Sequence, residues 1–483
     1  MADPHFAAYP APFVLDAPDG NRIQQLIWGD YVEIKEGRVG EWVEVRARRE
    51  NGWMHESTIQ DERVLEINFV DVGQGDGSFI VTPDDEFIVV DAGESDNMYR
   101  FLNWRFNLRR GGRIRFKAAV ITHSDVDHYM GFQKLFGSSQ FSFESLFHNG
   151  IVERTGTTLG PAVRRGRISY LTDVVTNKEQ LDQILSDPAL VGRKYYPTLL
   201  KAAADGGRVG DFRMLSVEDG FMPGFEEGGD LEIRVLGPVP ERVDGHLVLR
   251  RLGSDGETKN GHSVLLMLRY RGVRIFMGGD LNTAAERYLL QHYTGTDPAG
   301  ASGGQRGEMV AAARELFEAD VAKACHHGSA DFTDAFVEGV NATATIVSSG
   351  DDEPFAHPRP DTLGAIGRWS RGERPLVFST ELARSHKENV KRPEALRAEL
   401  RTLYDRRERT TDAIKREAIQ GDIDGLLATI EREVAVYGLI NVRTDGNKVV
   451  VAQKLERPGP RGVKWDYHQL EADDAGRLRL IPG

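Results

Sequence analysis

A single cysteine, Cys325, occurs in 483 residues, which excludes an intramolecular disulfide framework and fits a reducing compartment. No apolar run approaches the roughly 20 residues a membrane helix needs, and the N-terminus lacks a basic stretch followed by an apolar one. A cytoplasmic protein with no membrane partner is expected. Excess positive charge is missing too: 61 Lys and Arg stand against 74 Asp and Glu, a net charge of −13. That argues against a wholesale polyanion binder, although a local patch can dissent. With 40% hydrophobic and 28% charged residues the chain is globular rather than disordered. Its length calls for two or three domains, and it contains no internal repeat.

What is present centres on Ala119-Val-Ile-Thr-His-Ser-Asp-Val-Asp-His-Tyr-Met-Gly131. A short apolar strand runs there into four potential metal ligands, His123, Asp125, Asp127 and His128. A strand end fixes backbone direction, so alternate residues of the loop leaving it can converge on one point. An acidic, His-containing loop can also be a solvated turn, and its company along the chain decides between the two.

Residues 1–62 carry alternating β-like runs, Tyr31-Val-Glu-Ile-Lys and Trp42-Val-Glu-Val-Arg, separated by Gly-containing turns. With Trp28-Gly-Asp30, Trp42 and Gly52-Trp53 this part resembles a bacterial Src-homology-3-like β-barrel. The resemblance implies contact with a peptide or with a neighbouring domain. From Val64 the texture becomes strand, glycine turn, strand: Val64 to Val70, Asp71-Val-Gly-Gln-Gly-Asp-Gly77, Ser78-Phe-Ile-Val, and Phe87-Ile-Val-Val-Asp-Ala-Gly93. The glycines let the backbone turn tightly and approach a ligand closely. Further on come Asn260-Gly-His-Ser263 opening a hairpin that ends in Gly278-Gly-Asp280, then Lys323-Ala-Cys-His-His-Gly-Ser329, then Ala356-His-Pro-Arg-Pro360.

These motifs, in this order over roughly residues 64–381, resemble the metallo-β-lactamase fold, and within it the soluble relatives of the ComEC family of DNA-uptake proteins. The resemblance implies an α/β, four-layered αββα catalytic domain at 63–384, with inserted loops at about 141–258 holding one more core strand, Leu231 to Leu236. The small N-terminal barrel would precede it. A charged helical segment with a hairpin across Asp445-Gly446 and a tail would follow at 385–483.

Two divalent ions, Zn²⁺ or Mn²⁺, are implied. The first site would draw on His123 and Asp125, the second on Asp127, His128 and one of His326 and His327, with Asp280 bridging. His262 stands where other members of the fold present a third His to the first site, and His148 is its rival. Asp125 replaces the usual second His, which makes the set harder and more tolerant of Mn²⁺. Asp127 would act in catalysis. His357 is either a loop histidine or a proton donor to the leaving oxygen, and Ser329 and Arg359 could hold phosphate.

Residues 100–117 hold seven cations and no acid, with Tyr99, Phe101, Trp104 and Phe106 interleaved. This is either a helix with a solvated face or a phosphate-backbone patch with base-stacking aromatics in which Arg109, Arg110 and Arg113 bind substrate. The expected activity is hydrolysis of a phosphodiester, foremost in single-stranded DNA or a similar flexible nucleic acid. The alternative is a small ester, lactone or cyclic nucleotide, because fold does not fix substrate. An interaction module with a vestigial site is the reading from outside enzymes.

Overall fold

The computed structural model describes residues 4–108, 111–350, 355–380, 393–435, 438–455 and 459–481. Two large sheets lie face to face. The first has ten strands: Val209–Met214, Phe141–His148, Ile114–Ile121, Phe87–Ala92, Gly77–Val81, Leu65–Phe69, Ile440–Thr444, Val449–Lys454, Trp465–Ala472 and Leu478–Leu480, in spatial order. The second has six: Leu231–Gly237, Leu265–Tyr270, Val273–Met277, Val321–Lys323, Ala344–Val347 and Leu376–Ser379.

Period-2 alternation assigns each strand's faces. Leu65, Ile67, Phe69, Ile80, Ile88, Val90 and Val120 from the first sheet share one buried core with Ile233, Leu266, Leu268, Val273, Ile275 and Ile346 from the second. The residues between them point outward. Phe79, Val81, Val89, Phe116 and Ile121 pack under helix Asn97–Phe106 and its neighbours. Met267 and Phe276 pack under helices Thr283–Thr294 and Gly303–Phe317. The layers are therefore helix, sheet, sheet, helix. No described helix is long and apolar enough to cross a membrane.

The structure differs from the sequence reading of 141–258, where one core strand is expected. Three are found, because Phe141–His148 and Val209–Met214 pair in parallel and extend the first sheet. Only the hairpins Ala162–Arg165/Ile168–Leu171 and Glu241–Val243/His246–Arg250 form a separate four-stranded sheet. Past residue 385, the described helices Pro393–Arg409 and Ala413–Ala435 lead to the hairpin across Asp445-Gly446, whose strand Ile440–Thr444 pairs antiparallel with Leu65–Phe69. The chain's end thus continues the first sheet instead of hanging from it.

Residues 5–60 form a seven-stranded antiparallel sheet with its own core of Val14, Leu26, Val32, Val43, Val45 and Met54. It rests on the late strands: Ile27, Trp28 and Val64 bury against Val450, Ala452 and Trp465. Beneath that contact Arg443 is fully buried, donating from Nη1 to the Trp28 carbonyl at 2.8 Å and lying 3.2 Å from Asp30 and 3.5 Å from Glu66. Burial would raise the Glu66 carboxyl, but the Arg105 and Arg443 guanidiniums hold it at about 2. Removing one partner from such a network strands the others without solvent. Arg443→Met is expected to lower unfolding free energy by about 3–5 kcal/mol, measured by urea denaturation; a loss under ~1 kcal/mol would mean that water reaches Asp30 and Glu66.

Candidate metal centre

All the converging groups sit at strand ends on one edge of the sandwich. Strand Ile114–Ile121 delivers Thr122 and His123, and the single-turn helix Val126–Tyr129 turns Asp127 and His128 inward. Strand Val273–Met277 ends at Asp280. After Val321–Lys323, His326 and His327 both adopt left-handed backbone (φ 48° and 51°), a conformation non-glycine residues reach at a cost. That double twist sends His327 into the interior and leaves His326 at the rim. The glycine turn closes over the loop so tightly that a Cβ on Gly75 (φ +108°) would come within 1.7 Å of the Asp127 carbonyl oxygen, which accepts from the Asp76 N–H at 3.2 Å.

Four ligand atoms crowd together there. His128 Nε2 lies 3.3 Å from His327 Nε2 and 3.2 Å from Asp280 Oδ2. His327 Nε2 lies 3.1 Å from Asp280 Oδ2 and 3.4 Å from Asp127 Oδ2. Ligands about 2.05 Å from a tetrahedral ion stand about 3.3 Å apart, so the spacing suits one divalent ion. Each imidazole has its other nitrogen held from behind. Asp91 Oδ2 accepts from His128 Nδ1 at 2.8 Å, and the Ser348 carbonyl accepts from His327 Nδ1 at 3.1 Å, with Asp76 Oδ1 also 3.1 Å from that nitrogen. Both Nε2 atoms are thereby left as ligands, the carboxylate–histidine arrangement of metal sites. The residues whose ligand atoms all lie within 4.8 Å of one another are Asp76, His128, Asp280 and His327, with Asp127 beside them at His327; the other oxygen of Asp76 is taken by the Lys323 ammonium.

The electrostatics agree. Burial would lower His128 and His327, yet Asp280 together with Asp91 for the first and Asp76 for the second holds both well above the ordinary imidazole range. Burial would raise Asp280 and Asp127, yet the same histidines hold them far below the usual carboxylate range. Positive charge is what this pocket demands.

The remaining candidates fall into three places. Next to the cluster, His123 is wholly buried; its Nδ1 faces the Thr122 and Ser263 hydroxyls at 3.1 and 3.4 Å. Those hydroxyls donate to Asp91 and to the Asn260 carbonyl, which leaves them able to accept from Nδ1–H, and Nε2 lies 3.6 Å from Asp125 Oδ2 with no hydrogen-bond partner among the described residues. Asp125 Oδ1 is ion-paired with Lys259. At the rim, His357 lies with its ring 5.8 Å from His326 and 6.2 Å from His327. Ser329 follows the histidine pair, its N–H donating to the His326 carbonyl at 2.7 Å, and Arg359 is exposed where helix Pro360–Trp369 begins.

Outside the cluster, His262 donates from Nε2 to the Arg250 carbonyl at 2.7 Å. His148 Nδ1 accepts from the Gly150 N–H at 3.2 Å, and its Nε2 meets no hydrogen-bond partner among the described residues. The basic segment lies elsewhere. Phe101 is core, with Tyr99, Trp104 and Phe106 packed against it. Arg100, Arg105, Arg115 and Lys117 pair with Asp96, Glu66, Glu144 and Glu86. Arg113 precedes strand Ile114–Ile121, so ten residues of extended chain, about 30 Å, separate it from His123. Arg109 and Arg110 lie outside the described residues.

Sequence reasoning assigned no role to Asp76, Asp91, Lys323, Lys259 or Glu153. Asp76 and Asp91 were signalled by their place at the ends of glycine-flanked strands; nothing local marked the lysines.

Residues 70–142 match the model of the Metallo-beta-lactamase superfamily, and the structure holds a buried His/Asp cluster that could take a metal ion. Among solved structures, a point mutant of CmlA β-hydroxylase is similar with a TM-score of 0.30 and 10% identity, over 67% of this chain and 54% of that one. The chain thus spans about half the length of that structure. No curated protein matches it.

Two expectations follow. Asp91→Asn should weaken metal affinity about 10–100-fold by letting His128 turn; unchanged affinity by metal titration would assign Asp91 to the fold alone. Burial pushes His148 down to about 4, whereas the unfolded chain titrates near 6.5. The unfolded state therefore binds more protons between those values, and stability present at pH 7 is lost on acidification. His148→Gln should remove about 2 kcal/mol of the loss between pH 7 and 5, read from urea midpoints in chelator.

Proposed function

We propose that the protein is a metal-dependent hydrolase whose substrate is a small anionic ester, foremost a phosphodiester such as a cyclic nucleotide. The convergence of His128, His327 and Asp280 within 3.3 Å of one another, with Asp76 in the same buried cluster and Asp127 Oδ2 3.4 Å from His327 Nε2, supports the reading. A divalent ion in this site, Zn²⁺ or Mn²⁺ by its mixed imidazole and carboxylate donors, supplies Lewis acidity and a deprotonated water at neutral pH. Asp127, half-buried and also accepting from Gln74 Nε2 at 3.0 Å, faces the open side and would orient the attacking water. His357 at the rim would return a proton to the leaving oxygen, and the Ser329 hydroxyl and Arg359 would hold the anionic group.

A small substrate is favoured over a strand because, among the described residues of 100–117, Arg100, Arg105, Arg115 and Lys117 are paired with acids and Arg113 lies ten residues of extended chain away from His123. One feature supports the nucleic-acid reading instead: Arg167, Arg250 and Arg251 line an open cleft beside Gly253, at the start of the helix that carries Lys259. Incubating the metal-loaded protein with single- and double-stranded DNA and RNA, a cyclic nucleotide and a chromogenic phosphodiester separates the two. Turnover of the small esters alone is expected. Turnover of strands, lost in an Arg167/Arg250/Arg251→Ala variant, would establish a nuclease, and no turnover of any ester with full metal occupancy would sink the hydrolase. His357→Ala should cut kcat about 10²–10⁴-fold, with metal content unchanged.

A further inference from the structure

The fold implies a dinuclear centre, and the residues around the first position do not supply one. Three observations bear on it. Asp125, the second ligand of that position, gives Oδ1 to the Lys259 ammonium. Its Oδ2 accepts from the Asn260 side-chain amide at 2.8 Å once that amide is oriented with its nitrogen inward. His262, the third ligand, spends Nε2 on the Arg250 carbonyl at 2.7 Å. Asp280, the bridge, directs Oδ2 at His128 and His327, while its Oδ1 stands 3.9 Å from Lys323. In the first set, His123 Nε2 and Asp280 Oδ1 make no hydrogen bond among the described residues, whereas both oxygens of Asp125 and the Nε2 of His262 are taken.

Lys259 is held in place firmly. Besides Asp125 it contacts Glu153 Oε1 at 2.9 Å and the Ser124 carbonyl at 3.4 Å, so its three ammonium protons each have an acceptor. Its side chain is 14% exposed. It comes from helix Asp255–Gly261, whose start is fixed by a capping box between Ser254 and Glu257. That helix thus ends by presenting Lys259 and Asn260 together to one carboxylate.

We propose that Lys259 is a resident cation standing in for the first metal ion, so that the protein holds a single divalent ion, at Asp127, His128, His327 and Asp280. The inference rests on the metal-dependent reading above and deepens it. Lys259 is a positioning residue: saturated by Asp125, Glu153 and Ser124, it neutralises the pocket without touching substrate. Without its ammonium, Asp125 Oδ1 and Glu153 Oε1 would both lose their partner, with His123 Nε2 3.6 Å from Asp125 Oδ2, and two such carboxylates with an imidazole are a ligand set for a divalent cation.

The test is ion counting by native mass spectrometry and calorimetric titration with Mn²⁺ and Zn²⁺, on the full chain stripped with chelator. One tightly held ion is expected in the wild type and in Lys259→Arg, which keeps the cation. Two are expected in Lys259→Met. Asp125→Asn gives a second, independent arm: the count should stay at one, whereas in a dinuclear centre it falls from two. Two ions of comparable affinity in the wild type, or one in a folded Lys259→Met, would overturn the proposal. No ion in any variant would overturn it together with the metal-dependent reading, and so tells the two failures apart.

Discussion

Two imidazole nitrogens facing each other at 3.3 Å, with two carboxylate oxygens at similar range, are the constraint on which the rest of the structure turns. Lone pairs brought that close out of water repel unless a cation lies among them. Holding them there takes rigid supports on every side. Asp91 is itself in left-handed backbone (φ 53°) and fastens the loop by accepting from both the N–H and hydroxyl of Thr122. Lys323 ties Asp76 behind His327 and also donates to the Gly279 carbonyl at 3.3 Å. Gly131 lets the metal loop cross the Asp91 strand, since a Cβ there would meet the Ala92 carbonyl oxygen at 2.1 Å. The site is therefore a property of both sheets at once, and neither alone could hold it.

That His128, Asp280 and His327 would come together was legible because each sits where a strand pattern stops. A β-run followed by His-x-Asp-x-Asp-His, or by His-His-Gly-Ser, announces its own geometry. The sandwich was legible for the same reason: alternation in Leu65-Glu-Ile-Asn-Phe69 and Val273-Arg-Ile-Phe-Met277 fixes which face is inward. Charge partners were not legible. Nothing about Lys259 in the sequence says that it will meet Asp125, 134 positions earlier, and Glu153; that pairing depends on how helix Asp255–Gly261 lies against the loop. The hairpin at 440–454 was readable as a hairpin, but its partner strand lies some 370 positions earlier, a separation that local pattern cannot bridge.

That late pairing explains why the small N-terminal sheet is anchored as it is. Strand Ile440–Thr444 carries Arg443 between Glu66 of the first catalytic strand and Asp30 of the N-terminal sheet. One guanidinium therefore joins the beginning, the catalytic core and the end of the chain. Buried charges in themselves are weak evidence for stability, since a well-packed apolar set can do as well. Arg443's contribution is specificity of docking: it fits only when the Trp28 carbonyl, Asp30 and Glu66 all arrive together.

The basic-aromatic run at 100–117 shows how composition and placement part company. Aromatics interleaved with arginines satisfy the pattern of a stacking surface, but the same spacing on helix Asn97–Phe106 is that of an amphipathic helix. The rings of Phe101 and Phe106 pack edge-on against Phe79 at 6.0 and 5.8 Å. A ring that is holding the helix on the sheet is not free to stack on a base. The described arginines follow from this geometry: with the apolar face spent on the core, they lie on the other face and reach back to acids of the same layer. Repulsion sets the corresponding limit on the metal side. A divalent ion about 4 Å from an ammonium would be repelled by roughly 8 kcal/mol at an effective dielectric constant near 20. On the proposed single-ion reading, Lys259 on Asp125 settles the charge of that part of the pocket, and substrate selection would fall to the groups around Asp127, His326 and His357.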